Sequence, residues 1–496
     1  MKATDIEKAL TDVDQKYVEE ARVKRGSSIK WGWIAAAAAM LFVAVTGGIM
    51  GAKTIKNHNI GQIAYVDPTP VQTAISTEDA DQTAAPSEKA AATGRTYALA
   101  AYTETPGAED GSYYKYLNTL RQSGVMGEGS GLVEFFASSS NLFLLSKGDN
   151  TNAVCSPFSM YMALAMLAEV TEGETRAQIL DALGAGSIEE LRAQYAAVYE
   201  ASYRNSDDIA VTMPAASLWL REDESYNADT MGRLAELYKA SVFGGTMGDP
   251  EYDAMIKRWI DERTGGLLED MSGNAAKTSP DCVMKILSTL YFKARWDNDF
   301  YGREEGVFHS RDGDVQIEYL KGAANAYVKR QGYALVCKAL LDGSAMWFVL
   351  PDDGAELKDI VTEGEALSYL MSGGPSASET SSAKLLMPEL DISFENSIID
   401  MMKSLGITDC FDSAVSDFSP LTDAPGLEVG EASHGARLVA DREGVVAAAF
   451  THIDLNYGGM PNDNEPTVKL DRPFMFILMS ADSTPLFIGT AYEPAN

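Results

Sequence analysis

The sequence is poor in cysteine and histidine. Its 496 residues include four histidines and four cysteines, which lie far apart in or beside apolar stretches at Cys155, Cys282, Cys337 and Cys410. This spacing favours neither a disulfide framework nor a Cys-x-x-Cys metal knuckle, and no histidine has a second ligand at zinc spacing. A disulfide-stapled scaffold and a transition-metal enzyme are therefore excluded, and we expect no metal and no cofactor.

Positive charge is also scarce. The chain has 40 Lys and Arg residues against 72 Asp and Glu residues, a formal net charge of -32 at pH 7. A nucleic-acid partner is excluded because such binding depends on cations that neutralise phosphates. Hydrophobic residues make up 46% of the chain and aromatic residues 9%. This content is enough for a large core, so the chain is not globally disordered.

One stretch near the N-terminus contains no charged residue. It covers residues 31–52 and reads WGWIAAAAAMLFVAVTGGIMGA. As a helix it would be about 33 Å long, enough to cross a bilayer core once. Cations are more numerous before the stretch than after it, which predicts that residues 1–30 are a cytoplasmic tail. A cleaved secretory signal is the alternative, but its n-region would be too long and no small-x-small cleavage site follows.

The rest of the chain divides into two parts. Residues 53–130 are rich in Ala, Thr, Ser, Gly and Glu and have few bulky apolar side chains, which predicts a flexible extracellular stalk. From residue 131 to 496 the apolar periodicity is dense and shows no internal repeat. The sequence thus indicates a single-pass protein of the cell membrane that carries one large mixed α+β domain outside the cell.

Three features of that domain predict secondary structure. Ser156 followed by Pro157 is typical of a helix start, with a capping hydroxyl and a proline at the first helical position. Residues 283–296 (VMKILSTLYFKARW) indicate a long strand buried on both faces. Residues 474–492 form two apolar runs around a turn, so we expect two C-terminal core strands.

The stretch after Glu443 combines a strand pattern with a tip that cannot be a strand. Gly444 can pivot, and every second residue after it is apolar or neutral: Val445, Ala447, Ala449, Thr451, Ile453 and Leu455. Residues 456–466 (NYGGMPNDNEP) are too rich in Gly, Pro, Asn and Asp to pair in a sheet. Periodicity alone leaves two interpretations open: an ordinary strand followed by a loop, or a strand-competent hinge beside a cleavable tip.

Several motifs occur together in residues 131–496. They are NAVCSPFSMYMALAML, ETRAQIL, IKRWIDERTGGLLEDM, LSTLYFKARWDNDF, SHGARLVADREGVVAAAF and LDRPFMFILM with TPLFIGTAYEP. In this order and spacing they resemble the sequence signatures of a serpin, here a membrane-anchored member of prokaryotic type. The resemblance implies the serpin fold, an α+β architecture with a large central, mostly antiparallel sheet, surrounding helices and a mobile reactive loop at about 444–466.

The resemblance also implies a function. A serpin is an irreversible suicide-substrate inhibitor of serine or cysteine endopeptidases and is not an enzyme. The protease attacks the reactive loop, and the freed loop inserts into the central sheet and traps the acyl-enzyme. The implied partner is a target serine protease, and we expect the inhibitor to be a monomer.

The resemblance assigns roles to three groups of residues. The hinge comprises Glu443, Gly444, Val445, Val446, Ala447, Ala448 and Ala449. The shutter and breach, where the central sheet opens, comprise Ser156, Ser288, His434 and Trp296. The scissile region comprises Tyr457, Gly458, Gly459 and Met460, whose apolar character predicts chymotrypsin-, elastase- or subtilisin-like targets.

The sequence departs from the family pattern at a few positions. Arg442 stands where inhibitory members usually have Glu, Phe450 interrupts the alanine tract, and Ser288 replaces an Asn of the shutter cluster, where we expect a water to bridge. A non-inhibitory serpin that acts as a surface binding module is therefore the alternative. A hydrolase is disfavoured because there is no G-x-S-x-G elbow, and the one S-x-x-K, from Ser381 to Lys384, lies in a predicted Ser-rich linker.

Overall fold

The computed structural model describes residues 89–91, 97–100, 131–147, 151–206, 210–445 and 465–493. Within these residues no helix combines the length and the apolarity that crossing a bilayer requires. The predicted cytoplasmic tail at 1–30 and membrane span at 31–52 lie outside the described residues. So does the loop from 446 to 464, which includes the hinge residues 446–449 and the scissile region 457–460.

Helices form one part of the domain. Their bounds are α1 Gly131–Ser146, α2 Pro157–Glu169, α3 Gly173–Ala182, α4 Ile188–Ser202, α5 Ala228–Leu237, α6 Pro250–Arg263, α7 Glu269–Ala275, α8 Leu357–Glu363, α9 Glu365–Met371 and α10 Ile399–Ser404. α2 begins as the sequence predicts, because the Ser156 hydroxyl accepts a hydrogen bond from the Ser159 N–H and Pro157 occupies the first turn.

The strands alternate with these helices along the chain. Their bounds are β1 Lys89–Ala91, β2 Tyr97–Ala100, β3 Ala153–Cys155, β4 Arg204–Ser206, β5 Ala210–Arg221, β6 Ser225–Asn227, β7 Ala240–Gly245, β8 Met284–Arg295, β9 Gly302–Ser310, β10 Gly313–Lys329, β11 Tyr333–Ala339, β12 Ala345–Pro351, β13 Ser381–Pro388, β14 Leu390–Ser397, β15 Ser433–Ala440, β16 Gly444–Val445, β17 Thr467–Lys469, β18 Phe474–Met479 and β19 Pro485–Ala491. β1 pairs with β6, and β2 with β7. Both β1 and β2 fall in the range predicted to be a stalk, so the pairing joins these stretches to the domain.

The domain contains two large β-sheets. The central sheet has the strand order β14-β15-β16-β8-β5-β7-β2 with β4 on β5, and it is antiparallel except for the pair β5 and β7. The second sheet has the order β17-β13-β10-β11-β12-β18-β19-β3, with β9 on β10. β18 and β19, the predicted C-terminal strands, are buried at every position.

β8 has two differently covered faces. Leu290, Phe292 and Ala294 point toward the main core, which contains α2. Leu287, on the opposite face, packs with the aromatic cluster that α6 forms around Trp259. The sequence predicted burial on both faces, and this is wrong for Met284–Ser288, which are only half-buried. Their edge toward β15 carries no paired strand among the described residues, which accounts for the exposure.

α2 is anchored at its C-terminal end by a buried charge. The carboxylate of Glu169 has no exposed surface and accepts hydrogen bonds from Arg192 Nη2 at 2.7 Å and Arg233 Nε at 2.6 Å. Burial by itself raises the pKa of Glu169, but the hydrogen bonds from the two arginines hold it below its ordinary value. The helix is thereby tied to α4 and α5.

The substitution Glu169→Gln tests this anchor. We expect a loss of about 2 to 3 kcal/mol of stability, because two guanidinium groups would lose the carboxylate that compensates their partial burial. The urea-unfolding midpoint of the domain measures the effect. Glu189→Gln is the matched control, since Glu189 approaches the same Arg192 at 3.6 Å but is 74% exposed, and it should cost below about 1 kcal/mol. Equal losses of stability in the two variants would contradict the role of Glu169 as the buried anchor of α2.

Candidate functional site

The first two residues of the predicted inserting strand already lie within the central sheet. Gly444 and Val445 form β16, which pairs antiparallel with β8 on one side and with β15 on the other. In the described part of the chain, β8 and β15 pair with β16 and not with each other. We call the interval between β8 and β15 that extends from Val445 toward Met284 of β8 and Ser433 of β15 the slot. Val445 lies at one end of the slot and is fully buried.

Asp441 shapes the turn that leads from β15 into β16. Its Oδ1 accepts the N–H of Glu443 at 2.8 Å and of Gly444 at 3.1 Å. Its own N–H donates to the carbonyl of Gly444 at 3.0 Å. Sequence reasoning missed Asp441, although an Asp three residues before a Gly is a turn signal. This carboxylate fixes the direction in which Gly444 and Val445 lie between β8 and β15.

Trp296, predicted to belong to the breach, holds the same turn from the other side. Its indole N–H donates to the carbonyl of Asp441 at 2.9 Å, and its backbone N–H donates to the carbonyl of Glu443 at 3.1 Å. Its ring is 1% exposed and meets Phe300 edge-on at 5.9 Å between centroids. The predicted breach residue Trp296 is therefore in direct contact with Glu443, the first residue of the predicted hinge.

A buried lysine lies beside the contact between Trp296 and Phe300. Lys338 on β11 donates to the carbonyls of Asn298 at 2.6 Å and Ala323 at 3.0 Å, and its Nζ lies 4.6 Å from the centroid of the Phe300 ring. Burial lowers the pKa of Lys338 to about 8. Arg442, the departure from the family pattern, donates from Nε to the carbonyl of Phe300 at 3.1 Å. Sequence reasoning did not identify Lys338 or Phe300.

The predicted shutter residues meet at the first turn of α2. The backbone N–H of Ser156 donates to His434 Nε2 at 2.9 Å, which ties β15 to the helix. The hydroxyl of Ser288 donates to the carbonyl of Ser159 at 2.5 Å, which ties β8 to the same turn. Ser288 thus reaches the first turn of the helix directly, through Ser159. Ser159 was not identified from the sequence.

Burial fixes the protonation state of His434. The side chain is 8% exposed, and desolvation lowers its pKa from 6.5 to about 4. The imidazole is therefore neutral at physiological pH. Neutrality is required by the geometry, because Nε2 accepts the N–H of Ser156 and cannot carry a proton.

The serine and lysine of the S-x-x-K segment do not form a catalytic pair. Ser381 and Lys384 lie in β13, not in the predicted linker. Residues three apart on a strand point to opposite faces of the sheet. The arrangement therefore gives no support to a hydrolase.

The comparison with protein families assigns the fold to a known family. The family model described as serpin (serine protease inhibitor) matches residues 136–494. The chain belongs to the serpin family. Serpin relatives include the α-1-antitrypsin-like protein GS55-MS of Ictidomys tridecemlineatus, 25% identical over an alignment of 378 residues that covers 72% of this chain and 87% of the relative. A serine protease inhibitor of Cyanea capillata is 26% identical over 73% of this chain and 96% of its own length.

Solved serpin structures share the fold. The thermophilic serpin tengpin in its native state superimposes with a TM-score of 0.65 at 24% identity, covering 80% of this chain and all of tengpin. Tengpin in its latent state gives a TM-score of 0.62 at 23% identity, covering 74% of this chain and 99% of tengpin. At these identities the similarity establishes the architecture of this serpin domain and not its target.

The lowered pKa of His434 predicts acid sensitivity. Above pH 6.5 the histidine is neutral in both the folded and the unfolded chain, and its contribution to stability is complete. As the pH falls from 6.5 toward 4, only the unfolded chain gains the proton, so stability decreases by about 3 kcal/mol across this window. Urea unfolding at several pH values measures the slope. His434→Gln should have a flatter slope, since glutamine keeps an acceptor but does not titrate; an unchanged slope would contradict the prediction.

Gly444 is predicted to be essential for the position of β16. A Cβ at this residue would lie 2.2 Å from the carbonyl oxygen of Ala294. We therefore expect Gly444→Ala to displace β16 and to cost about 1 to 3 kcal/mol. Faster amide hydrogen exchange in β16 and at the facing end of β8 would report the displacement. Glu443→Ala is the control, since Glu443 is exposed. Unchanged exchange in Gly444→Ala would contradict the close approach.

Proposed function

We propose that this serpin is an irreversible suicide-substrate inhibitor of serine or cysteine endopeptidases, which traps the acyl-enzyme by inserting its reactive loop into the slot. The observation that carries the proposal is the position of β16. Its two residues lie between β8 and β15, so a continuation of β16 as a strand would occupy the slot. The names of the relatives, which include α-1-antiproteinases and serine protease inhibitors, support the same function.

The strand register indicates how the loop would fit. The pairs Val445 with Ala294 and Val445 with Ala440 define both edges of the slot. Continued residue by residue, the same register brings Thr451 opposite Ser288 on β8 and His434 on β15. Directly paired residues point to the same face of a sheet. Thr451 would therefore place its hydroxyl among the predicted shutter residues at the first turn of α2.

The side chains of the loop suit a buried position. The inward row begins with Val445 and continues with Ala447, Ala449, Thr451 and Ile453, none of which carries a charge. Insertion would bury the side chains that follow Val445 in this row and would supply hydrogen-bond partners to the facing backbone edges of β8 and β15. Both effects favour the inserted state, which gives the free energy needed to trap a protease.

The trapping step follows from ordinary protease chemistry. The catalytic hydroxyl or thiol of the protease attacks the scissile carbonyl, an ester or thioester forms, and the peptide bond breaks to release a new amino terminus. The loop segment before the cut is then free to enter the slot and carries the protease with it. Inhibition requires insertion to be faster than attack by water on the acyl bond.

The composition of the loop restricts the targets. The chain has no Lys or Arg between Gly444 and Asn464, which disfavours trypsin-like proteases. Tyr457 suits a chymotrypsin-like pocket, and Met460 suits a chymotrypsin- or elastase-like pocket. We propose that cleavage falls within Tyr457–Met460. Arg442 would not oppose inhibition, because its side chain is held on Phe300 outside the inward row.

We also propose a location for the inhibitor. Residues 31–52 would anchor it in the cell membrane as a single helix with the N-terminus in the cytoplasm. The serpin domain would then act outside the cell on extracellular proteases. Fractionation of cells with a protease-protection assay tests the topology; a domain sensitive only after lysis would contradict it.

The function is tested with the outer fragment and a panel of apolar-specific proteases. Chymotrypsin, elastase and subtilisin should each be examined for SDS-stable adducts, and sequencing of the released C-terminal peptide should locate the cut within residues 457–460. An absence of adducts, together with no gain in Tm after loop cleavage, would indicate the alternative, a non-inhibitory serpin that acts as a surface binding module.

The inward row supplies a more specific prediction. Ala447→Arg would place an unpaired charge in the core only when the loop inserts, opposing insertion by several kcal/mol, roughly 2 to 5. The variant should be cleaved as a substrate, with little SDS-stable adduct and a higher stoichiometry of inhibition. Val446→Arg is the matched control, since strand alternation puts that side chain on the other face, level with the half-buried Lys293 and Val439. Equal losses of adduct in both variants would contradict the inward row.

A further inference from the structure

The central sheet has two edges that differ in their protection against other chains. Among the described strands, β14 ends the sheet on one side and β2 ends it on the other. β14 carries two exposed carboxylates, Asp391 and Glu395. Charged side chains on an edge strand oppose pairing with a strand of another chain. The β14 edge is therefore protected by its own residues.

β7, the strand next to β2, has no such protection in its sequence. It comprises Ala240–Gly245 (ASVFGG) and contains neither a charge nor a proline. Val242 is fully buried in the main core, and the ring of Phe243 stacks on Trp219 at 4.2 Å between centroids. Both faces of β7 are thus packed, and a further strand can pair only with the backbone edge opposite β5. A flat, uncharged edge of this length is a template for another chain.

β2 covers the edge of β7. The two strands are antiparallel, and the directly paired residues are Tyr97 with Gly244, Ala98 with Phe243 and Ala100 with Val242. β2 lies outside residues 136–494, which the serpin family model matches, so it comes from beyond the matched domain. It has four residues, and its register shifts between Ala98 and Ala100. Short and irregular strands are a common means of closing a sheet edge.

We propose that residues 97–100 are a protective edge strand, and that the edge of β7 which they cover is a self-association surface for a second copy of this chain. The observed pairing indicates the occupant, because this edge accepts an uncharged strand in the antiparallel direction. β7 is itself an uncharged strand. Two copies related by a two-fold axis would pair β7 with β7 and form one continuous sheet. The inference goes beyond the proposed function and does not depend on loop insertion.

Detaching β2 from β7 tests the proposal in the full chain. Ala98→Pro combined with Leu99→Pro should prevent the pairing, because proline has no N–H to donate and fixes φ away from the strand value. We expect the molar mass, measured by size-exclusion chromatography with light scattering, to become about twice that of the unmodified chain. Ala90→Pro is the matched control. It disturbs β1 on β6, a pair outside both large sheets, and should leave the molar mass unchanged.

Hydrogen exchange locates the association. In the dimer the amide protons of residues 240–245 should stay protected, because the second copy replaces β2 as their partner. Rapid exchange of these amides in the dimer would overturn the proposal. So would a double-proline variant that keeps the molar mass of the unmodified chain, or an equal increase in mass for Ala90→Pro.

A disulfide provides a second measurement that does not require a disrupted strand. Ala100→Cys with Val242→Cys joins two directly paired residues, whereas Ala100→Cys with Ala240→Cys is two residues out of register. We expect only the first pair to close. In urea below the unfolding transition, its reduced form should dimerise as the edge strand detaches, and its oxidised form should stay monomeric. Dimerisation of both forms or of neither, or closure of the second pair instead, would overturn the proposal. Failure of the proposed function would appear separately, as an absence of SDS-stable adducts.

Discussion

The structure depends on the backbone hydrogen bonding of two strands at the centre of one sheet. β8 and β15 run parallel to each other, and in the described chain only the two residues of β16 pair with both of them. Backbone groups in the interior of a sheet need partners, and a strand that supplies them is strongly favoured. The slot is therefore a site whose natural occupant is another strand of compatible direction and side chains.

α2 joins the two edges of the slot. Its first turn accepts the hydroxyl of Ser288 from β8 and donates to His434 of β15, while Glu169 fastens its last turn to α4 and α5. The helix cannot move without breaking a buried ion pair. Because the first turn of the helix is bonded to Ser288 on β8 and to His434 on β15, the helix fixes the positions of both edges of the slot.

Much of the fold could be predicted from local patterns. The capping pair Ser156 and Pro157 locates α2, and the apolar run of residues 283–296 locates β8. Local patterns could not find the parts of the site made by distant segments. Lys338 donates to the carbonyls of Asn298 and Ala323, and the carbonyl of Ser159 accepts from Ser288. These partners lie elsewhere in the chain, and nothing in the local sequence marks them. The exposure of the first half of β8 was missed for the same reason, since it depends on the strand beside it.

The sequence by itself determined the alternation of small side chains after Gly444, because periodicity is a property of neighbouring residues. Its motifs indicated the class of fold through their resemblance to the serpin family. The tertiary structure alone decided the register. Ser156 and His434 are 278 residues apart in the chain and form a hydrogen bond of 2.9 Å. Such a contact is set by how the strands align in the ladder, and a shift of one residue would turn every side chain to the opposite face.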